Sequence, residues 1–190
     1  MFGLKVPTPV GWLPVIMGDF DAFLLDHAAN ERKASAMAMH LVSHYPDRTE
    51  LVREMVDLAC EELEHFRLVH RVIEARGLRL APDTRDAYVR ALQQQCRKGS
   101  KVYFLDRLLV AGIVEARGCE RFGLVADALP AGELKELYVD FTRSEARHHG
   151  LFARLARVYF DEAAVATRTG GLLEVEAEVM VALPLRPALH

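Results

Sequence analysis

Four stretches of this chain repeat apolar residues in alternating steps of four and three, the spacing of one face of an α-helix. The first seam runs Phe20, Leu24, His27, Glu31, Ala34, Ala38, Leu41, with Asp19 placed to cap it and Pro46 to stop it. The second runs Leu51, Met55, Leu58, Glu62, His65, Val69, Val72, with Asp47 as its cap and Gly77 as its stop. The third runs Leu105, Leu108, Gly112, Glu115, Cys119, Phe122, Ala126, and Pro130 and Gly132 break the chain after it. The fourth runs Leu134, Tyr138, Phe141, Glu145, His148, Phe152, Leu155, Tyr159. No stretch sustains the alternation of a strand.

This pattern predicts an all-α chain with long helices over 19–45, 47–76, 101–128 and 132–166, in a single domain spanning 1–190. Residues 1–18, rich in proline and glycine, read as an extended arm anchored by Trp12. The segment 77–100 reads as a crossover carrying a polar helix capped by Asp83, and 170–190 as a tail with a short last helix from about Leu172. Short links make helices one and two, and helices three and four, antiparallel neighbours. A long link between the second and third is the connection of a ferritin-like four-helix bundle.

The seams contain charged residues where apolar ones belong: Glu31, Glu62 with His65, Glu115, and Glu145 with His148. Residues three apart share a helix face, so each Glu-x-x-His word (Glu62 to His65, Glu145 to His148) aims a carboxylate and an imidazole at one point. The set repeats: Glu31 to Glu115 is a shift of 84, and Glu62 to Glu145 a shift of 83. Buried carboxylates without a counter-charge cost several kcal/mol each, of the order of 3–5. Two divalent cations remove that cost, and a carboxylate-rich set with two imidazoles suits iron or manganese better than zinc. Glu61, Glu64 and His149 flank the words and point elsewhere on their helices. His27, one turn before Glu31, is a core histidine or a partner of that ligand. Asp57 and Asp140 are candidate partners for the two ligand histidines.

Composition narrows the setting. Of the 190 residues 51% are hydrophobic and 27% charged, with no apolar run long enough to span a membrane. The N-terminus does not read as a signal peptide, and three scattered cysteines favour a reducing compartment, so a cytoplasmic location is expected. The net charge of −3 is uneven. From Arg67 to Arg107 there are ten basic residues (Arg67, Arg71, Arg76, Arg79, Arg85, Arg90, Arg97, Lys98, Lys101, Arg107) against four acids. Such a stretch suits a polyanion such as RNA, or is a solvated helix surface.

Tyr103 to Arg117 (YFLDRLLVAGIVEAR), with Asp26 to Ala34, Glu61 to Phe66 and Ser144 to His149, resembles the tRNA 2-methylthio-N6-isopentenyladenosine hydroxylases. These MiaE-type proteins are bacterial non-haem di-iron monooxygenases of the ferritin-like superfamily. The family's metal pattern falls on Glu31, Glu62, His65, Glu115, Glu145 and His148, without departure. The resemblance implies two iron ions (or manganese) with dioxygen as co-substrate, and an isopentenyl side chain beside the tRNA anticodon as the group hydroxylated. It further implies tRNA and an external electron-transfer reductase as partners, on a monomer or small homo-oligomer. A prenyl tail would sit among seam neighbours such as Leu24, Leu108, Phe141 and Phe152. Two alternatives remain: a ferritin- or rubrerythrin-like iron- or peroxide-handling protein, and a non-catalytic helical binding protein. The absence of any Cys-x-x-Cys pair speaks against a rubredoxin-type centre on this chain.

Overall fold

The computed structural model describes residues 3–190, and every regular element among them is a helix. In chain order these are α1 (Trp12–Gly18), α2 (Phe20–His44), α3 (Thr49–Ala75), α4 (Ala87–Gln93), α5 (Ser100–Ala128), α6 (Glu133–Tyr159) and α7 (Glu162–Ala182). None of them is long and apolar enough to cross a membrane. The chain divides into two compact units: Pro14–Thr84 with Arg186–Leu189, and the residues up to Leu13 with Arg85–Leu185 and His190.

The first unit is built on the pair α2 and α3. Asp19 caps α2 by accepting the Ala22 N–H at 3.1 Å. The buried face of α2 is Phe23, Leu24, His27, Ala28, Glu31, Ser35, Ala38 and Leu41, and that of α3 is Leu51, Met55, Leu58, Ala59, Glu62, His65, Val69 and Ile73. Ser35 donates across the pair to the Ala59 carbonyl oxygen at 2.8 Å. Asp47 does not cap α3; Arg48 holds the N-cap position and gives no side-chain cap. At the other end Gly77 adopts φ +71°, and the Leu78 N–H reaches the Ile73 carbonyl at 3.0 Å. This left-handed closure is one that glycine enters without steric cost.

In the second unit α5 packs against α6, with α4 and α7 on its other sides. Seventeen residues of α5 are buried. The single seam read from the sequence is therefore too narrow: α5 is covered nearly all round, as a central helix must be. Phe122, Tyr138 and Phe141 form one aromatic cluster between α5 and α6, with centroids 5.6–5.8 Å apart. Gly99 (φ +112°) turns the chain into α5 through a backbone conformation that side chains disfavour.

Several expected boundaries move. The arm, whose first two residues lie outside the described ones, contains the helix α1; Pro14 lies in its first turn, where its missing N–H costs nothing. The crossover helix is only seven residues and is capped by Asp86 through the Val89 N–H at 2.9 Å, rather than by Asp83. Asp83 instead pairs with Arg32. α6 stops at Tyr159 instead of 166, because Phe160 is extended and packs its ring on Phe104 at 5.6 Å. Asp161 then starts α7 by accepting the N–H groups of Ala163 and Ala164, at 2.9 and 3.2 Å. α7 runs through Gly170 and Gly171, two residues that read as a break. Each costs about 1 kcal/mol relative to alanine in a helix, and burial of Leu172, Leu173, Glu176 and Met180 on the same helix offsets this.

A second set of charges is buried in this unit. Arg117, fully buried, donates to Glu176 Oε1 through Nε at 2.9 Å and Nη2 at 2.7 Å, and to the Val6 carbonyl at 2.9 Å. Tyr88 donates its hydroxyl to the same Glu176 oxygen at 3.0 Å. Arg121 lies 4.8 Å from the Trp12 ring centroid, and burial pushes its pKa down to about 10. This network ties the arm, α4 and α7 to α5.

Candidate metal centre

In the first unit Glu31, Glu62 and His65 each bring a possible ligand atom within 4.8 Å of the others. All three are buried, at 3%, 1% and 6% exposure. His65 Nδ1 faces inward, 3.5 Å from Glu31 Oε2 and 3.4 Å from Glu62 Oε2. Its other nitrogen, Nε2, is 3.8 Å from Glu61 Oε1. His27 Nε2 bonds Glu31 Oε1 at 2.6 Å and is itself fully buried.

The charges follow from this geometry. Burial pushes the Glu31 carboxyl up, but the hydrogen bonds from His27 and His65 outweigh it and hold the group well below the ordinary carboxylate range. Burial lowers His65, but Glu31 and Glu62 outweigh it and raise its pKa to about 9. Glu31 is thus held as an ionised carboxylate, the form in which a carboxylate binds a metal.

In the second unit Glu115, Glu145 and His148 likewise bring ligand atoms within 4.8 Å of one another. Their exposures are 7%, 4% and 3%. His148 Nδ1 lies 3.7 Å from Glu145 Oε2, so both histidines turn the same nitrogen toward the carboxylate three residues earlier. Cys119, one turn after Glu115, donates its thiol to the Thr142 carbonyl at 3.4 Å. That bond repeats Ser35 to Ala59 of the first unit, shifted by 84 and 83 residues like the ligands themselves. In each pair a small polar side chain one turn after the lone glutamate reaches the carbonyl three residues before the paired one.

The donor set fits hard divalent metals of the iron or manganese kind: buried, rich in carboxylate, with two imidazoles and no thiolate among them. Sequence reasoning missed Glu61 as the outer neighbour of His65. The four-residue step that made Glu61 look turned away is also the step that brings it to Nε2 of a residue one turn on. Asp57 and Asp140 do not serve the histidines; Asp57 is exposed, and Asp140 pairs with Arg143 on the surface at 2.9 Å. His149, which adjoins His148 on its helix, is buried, and burial lowers its pKa. Glu64 pairs with Arg67 in a half-exposed position.

The apolar residues expected near a prenyl tail, Leu24, Leu108, Phe141 and Phe152, are all buried, and Phe141 already packs in the aromatic cluster. The ten basic residues divide. Arg67, Arg76 and Arg97 are engaged by Glu64, Asp21 and Asp106. Arg107 donates to the Tyr103 hydroxyl at 3.1 Å and lies over its ring. Arg71 is exposed near Glu64. Arg79, Arg85, Arg90, Lys98 and Lys101 are exposed and hold no side-chain partner among the described residues.

Two antiparallel helix pairs with matched carboxylate and histidine triads define an all-α protein of the ferritin-like class. A solved structure, "Protein 43 with aldehyde deformylating oxygenase activity from Synechococcus", superposes with a TM-score of 0.91 and 37% identity, over 97% of this chain and 92% of that one. The family model described as tRNA-(MS[2]IO[6]A)-hydroxylase (MiaE) matches residues 2–190, and the chain belongs to this family of tRNA-hydroxylating enzymes. A tRNA 2-(methylsulfanyl)-N(6)-isopentenyladenosine(37) hydroxylase of Pseudomonas putida is 36% identical, over 86% of this chain and 79% of the relative. Its Salmonella typhimurium counterpart is 31% identical over 82% of this chain, which spans 57% of that relative's length.

Proposed function

We propose that this chain is a dioxygen-dependent tRNA hydroxylase acting on the isopentenyl group of the modified adenosine beside the anticodon. Family membership along the whole described chain, together with the two matched triads, carries this reading. Glu31, Glu62 and His65 in the first unit, and Glu115, Glu145 and His148 in the second, would hold iron. Manganese in its place is the variant that metal analysis distinguishes. Bound there, the iron supplies the two-electron activation of dioxygen that hydroxylation of an unactivated carbon needs.

The chain's own residues do the rest. His27 keeps Glu31 ionised and fixed, and Glu61 orients His65 through its outer nitrogen. Leu24, Leu108, Phe141 and Phe152 give the prenyl carbons an apolar surrounding and exclude water from it. Electrons come from a separate reductase, the chain works as a monomer or small homo-oligomer, and its compartment is the cytoplasm.

The test is direct. Iron-loaded, reduced protein is mixed with isopentenylated anticodon stem-loop and dioxygen, and the nucleosides are read by mass spectrometry. Gain of one oxygen atom on the modified adenosine is expected; its absence in reduced, metal-replete protein sinks the reading. A second reading, deformylation of a free aldehyde, has one observation behind it, the aldehyde deformylating oxygenase activity for which the 37% identical Synechococcus protein is named. The same mixture with aldehyde in place of RNA separates the two.

A further inference from the structure

The loop before α5 is held by one buried carboxylate. Asp106 is fully buried and accepts five hydrogen bonds. Arg97 gives its backbone N–H at 2.8 Å, Nε at 3.0 Å and Nη2 at 2.7 Å. Arg168 of α7 gives Nε and Nη2, both at 2.9 Å, and its Nη2 also reaches the Gln95 carbonyl at 2.6 Å. Two guanidinium groups on one carboxylate leave the clasp itself with a net positive charge.

The cations around the clasp have no such engagement. Between residues 85 and 101 there are five basic side chains and a single acid, Asp86. Asp86 is occupied as the cap of α4 and as the partner of His190 at 3.2 Å. Arg97 belongs to the clasp. The other four, Arg85, Arg90, Lys98 and Lys101, are exposed and make no side-chain hydrogen bond or ion pair among the described residues. Keeping four cations along one short strap with no acid to neutralise them costs self-repulsion, and a polyanion removes that cost. Lys98 directly follows the clasped residue and Lys101 lies in the first turn of α5, with the constrained Gly99 between them. Their positions are therefore set by Asp106.

We propose that Arg85, Arg90, Lys98 and Lys101 form the phosphate-binding strap for the RNA backbone, and that Asp106, through Arg97 and Arg168, is the residue that positions it. This rests on the tRNA reading above and deepens it, since it names which cations meet RNA and which are structural. Phosphate contacts set position and carry no base information. The strap accordingly holds modified and unmodified stem-loops alike, while selection of the modified adenosine belongs to the metal-bearing interior.

The experiment uses the full metal-loaded chain and fluorescence anisotropy with isopentenylated and unmodified anticodon stem-loops across a salt series. The combined Arg85→Gln, Arg90→Gln, Lys98→Gln and Lys101→Gln variant is expected to lose affinity for both RNAs equally. Its log–log salt slope should flatten by roughly 3, about 0.7 for each lost phosphate contact. A control removing the same charge from the exposed Arg53, Arg143, Arg157 and Arg186 should keep the wild-type slope. Equal losses in strap and control variants would reduce the effect to net charge and overturn the proposal, as would a loss confined to the modified RNA. Equal loss of binding to anionic lipid vesicles, with RNA binding untouched, would assign the strap to a membrane surface and overturn it too. Asp106→Asn is expected to weaken RNA binding with metal content unchanged, and adding Lys98→Gln and Lys101→Gln should then cost less than it does in wild type. Simple additivity would remove the positioning role. Wild-type protein that binds neither stem-loop would instead defeat the tRNA reading itself.

Discussion

The two helix pairs carry the same candidate ligands at the same spacing, yet these are held differently. In the α2–α3 pair the lone glutamate, Glu31, has a buried histidine one turn back, bonded at 2.6 Å. The corresponding position before Glu115 in α5 is Ala111. In the first unit, then, an imidazole fixes the ligand from within the chain. The second unit instead carries the buried Arg117–Glu176–Tyr88 network and the Asp106 clasp. A repeated carboxylate and histidine set can therefore be positioned by two unrelated devices, one local to the triad and one spread over neighbouring helices.

The strongest test of equivalence removes one carboxylate from each half. Glu31→Ala and Glu115→Ala are both expected to lose bound metal and to bring turnover to background while circular dichroism stays helical. Turnover retained in either would show that its half is dispensable. Next in size is Arg117→Ala, which strands Glu176 in the interior and should cost about 3–5 kcal/mol in urea unfolding. Replacing Arg117 and Glu176 together by apolar residues should recover much of this, and a single variant within about 1 kcal/mol of wild type would contradict the scale expected of a buried pair.

His27→Ala tests the local device. Loss of an outer partner to a metal ligand typically lowers metal affinity about 10–100-fold, measurable by competition with a chelator; unchanged affinity would make His27 a packing residue only. Asp106 supplies the pH test. Burial raises its carboxyl, but Arg97 and Arg168 outweigh that and hold it below the ordinary value of 3.8. Its contribution is thus complete above about pH 5 and is lost as pH falls through the lowered folded value. Asp106→Asn should be less stable than wild type at pH 7, with the gap closing toward pH 3; a constant gap would assign the effect to shape. The smallest contrast is between the repeated cross-helix bonds. Ser35→Ala should cost about 1 kcal/mol and Cys119→Ala less, since a thiol at 3.4 Å is the weaker donor.

The four long helices and the six candidate ligands were legible because both obey the helix repeat. A glutamate on an apolar seam is visible as a breach of pattern, and two seams breached at matched intervals reinforce each other. The second buried network was not legible for the same reason. Arg117, Arg121, Asp106 and Glu176 lie on helices covered on more than one side, so no polar face was left against which to recognise them as buried. Asp106 and Arg107 read as surface charge beside the basic stretch, whereas Asp106 is fully buried. Gly170 and Gly171 read as a break because local propensity spoke against helix, and burial of the residues that follow overrode it. α1 is too short to show a period, and Asp83 looked like a cap until its pairing with Arg32 placed it elsewhere.

Trp12 is the chain's single tryptophan, buried to 2% exposure and set against the Arg121 guanidinium. It belongs to the same unit as the Arg117 network, and the other unit has none. The protein thus carries one built-in fluorophore, and it reports on one half. Intrinsic emission follows release of the arm from α5, whereas ellipticity at 222 nm, a helix signal from every element, follows the whole chain. Laid over one another, the two melting curves measure whether the Trp12 half unfolds at the same temperature as the rest of the chain.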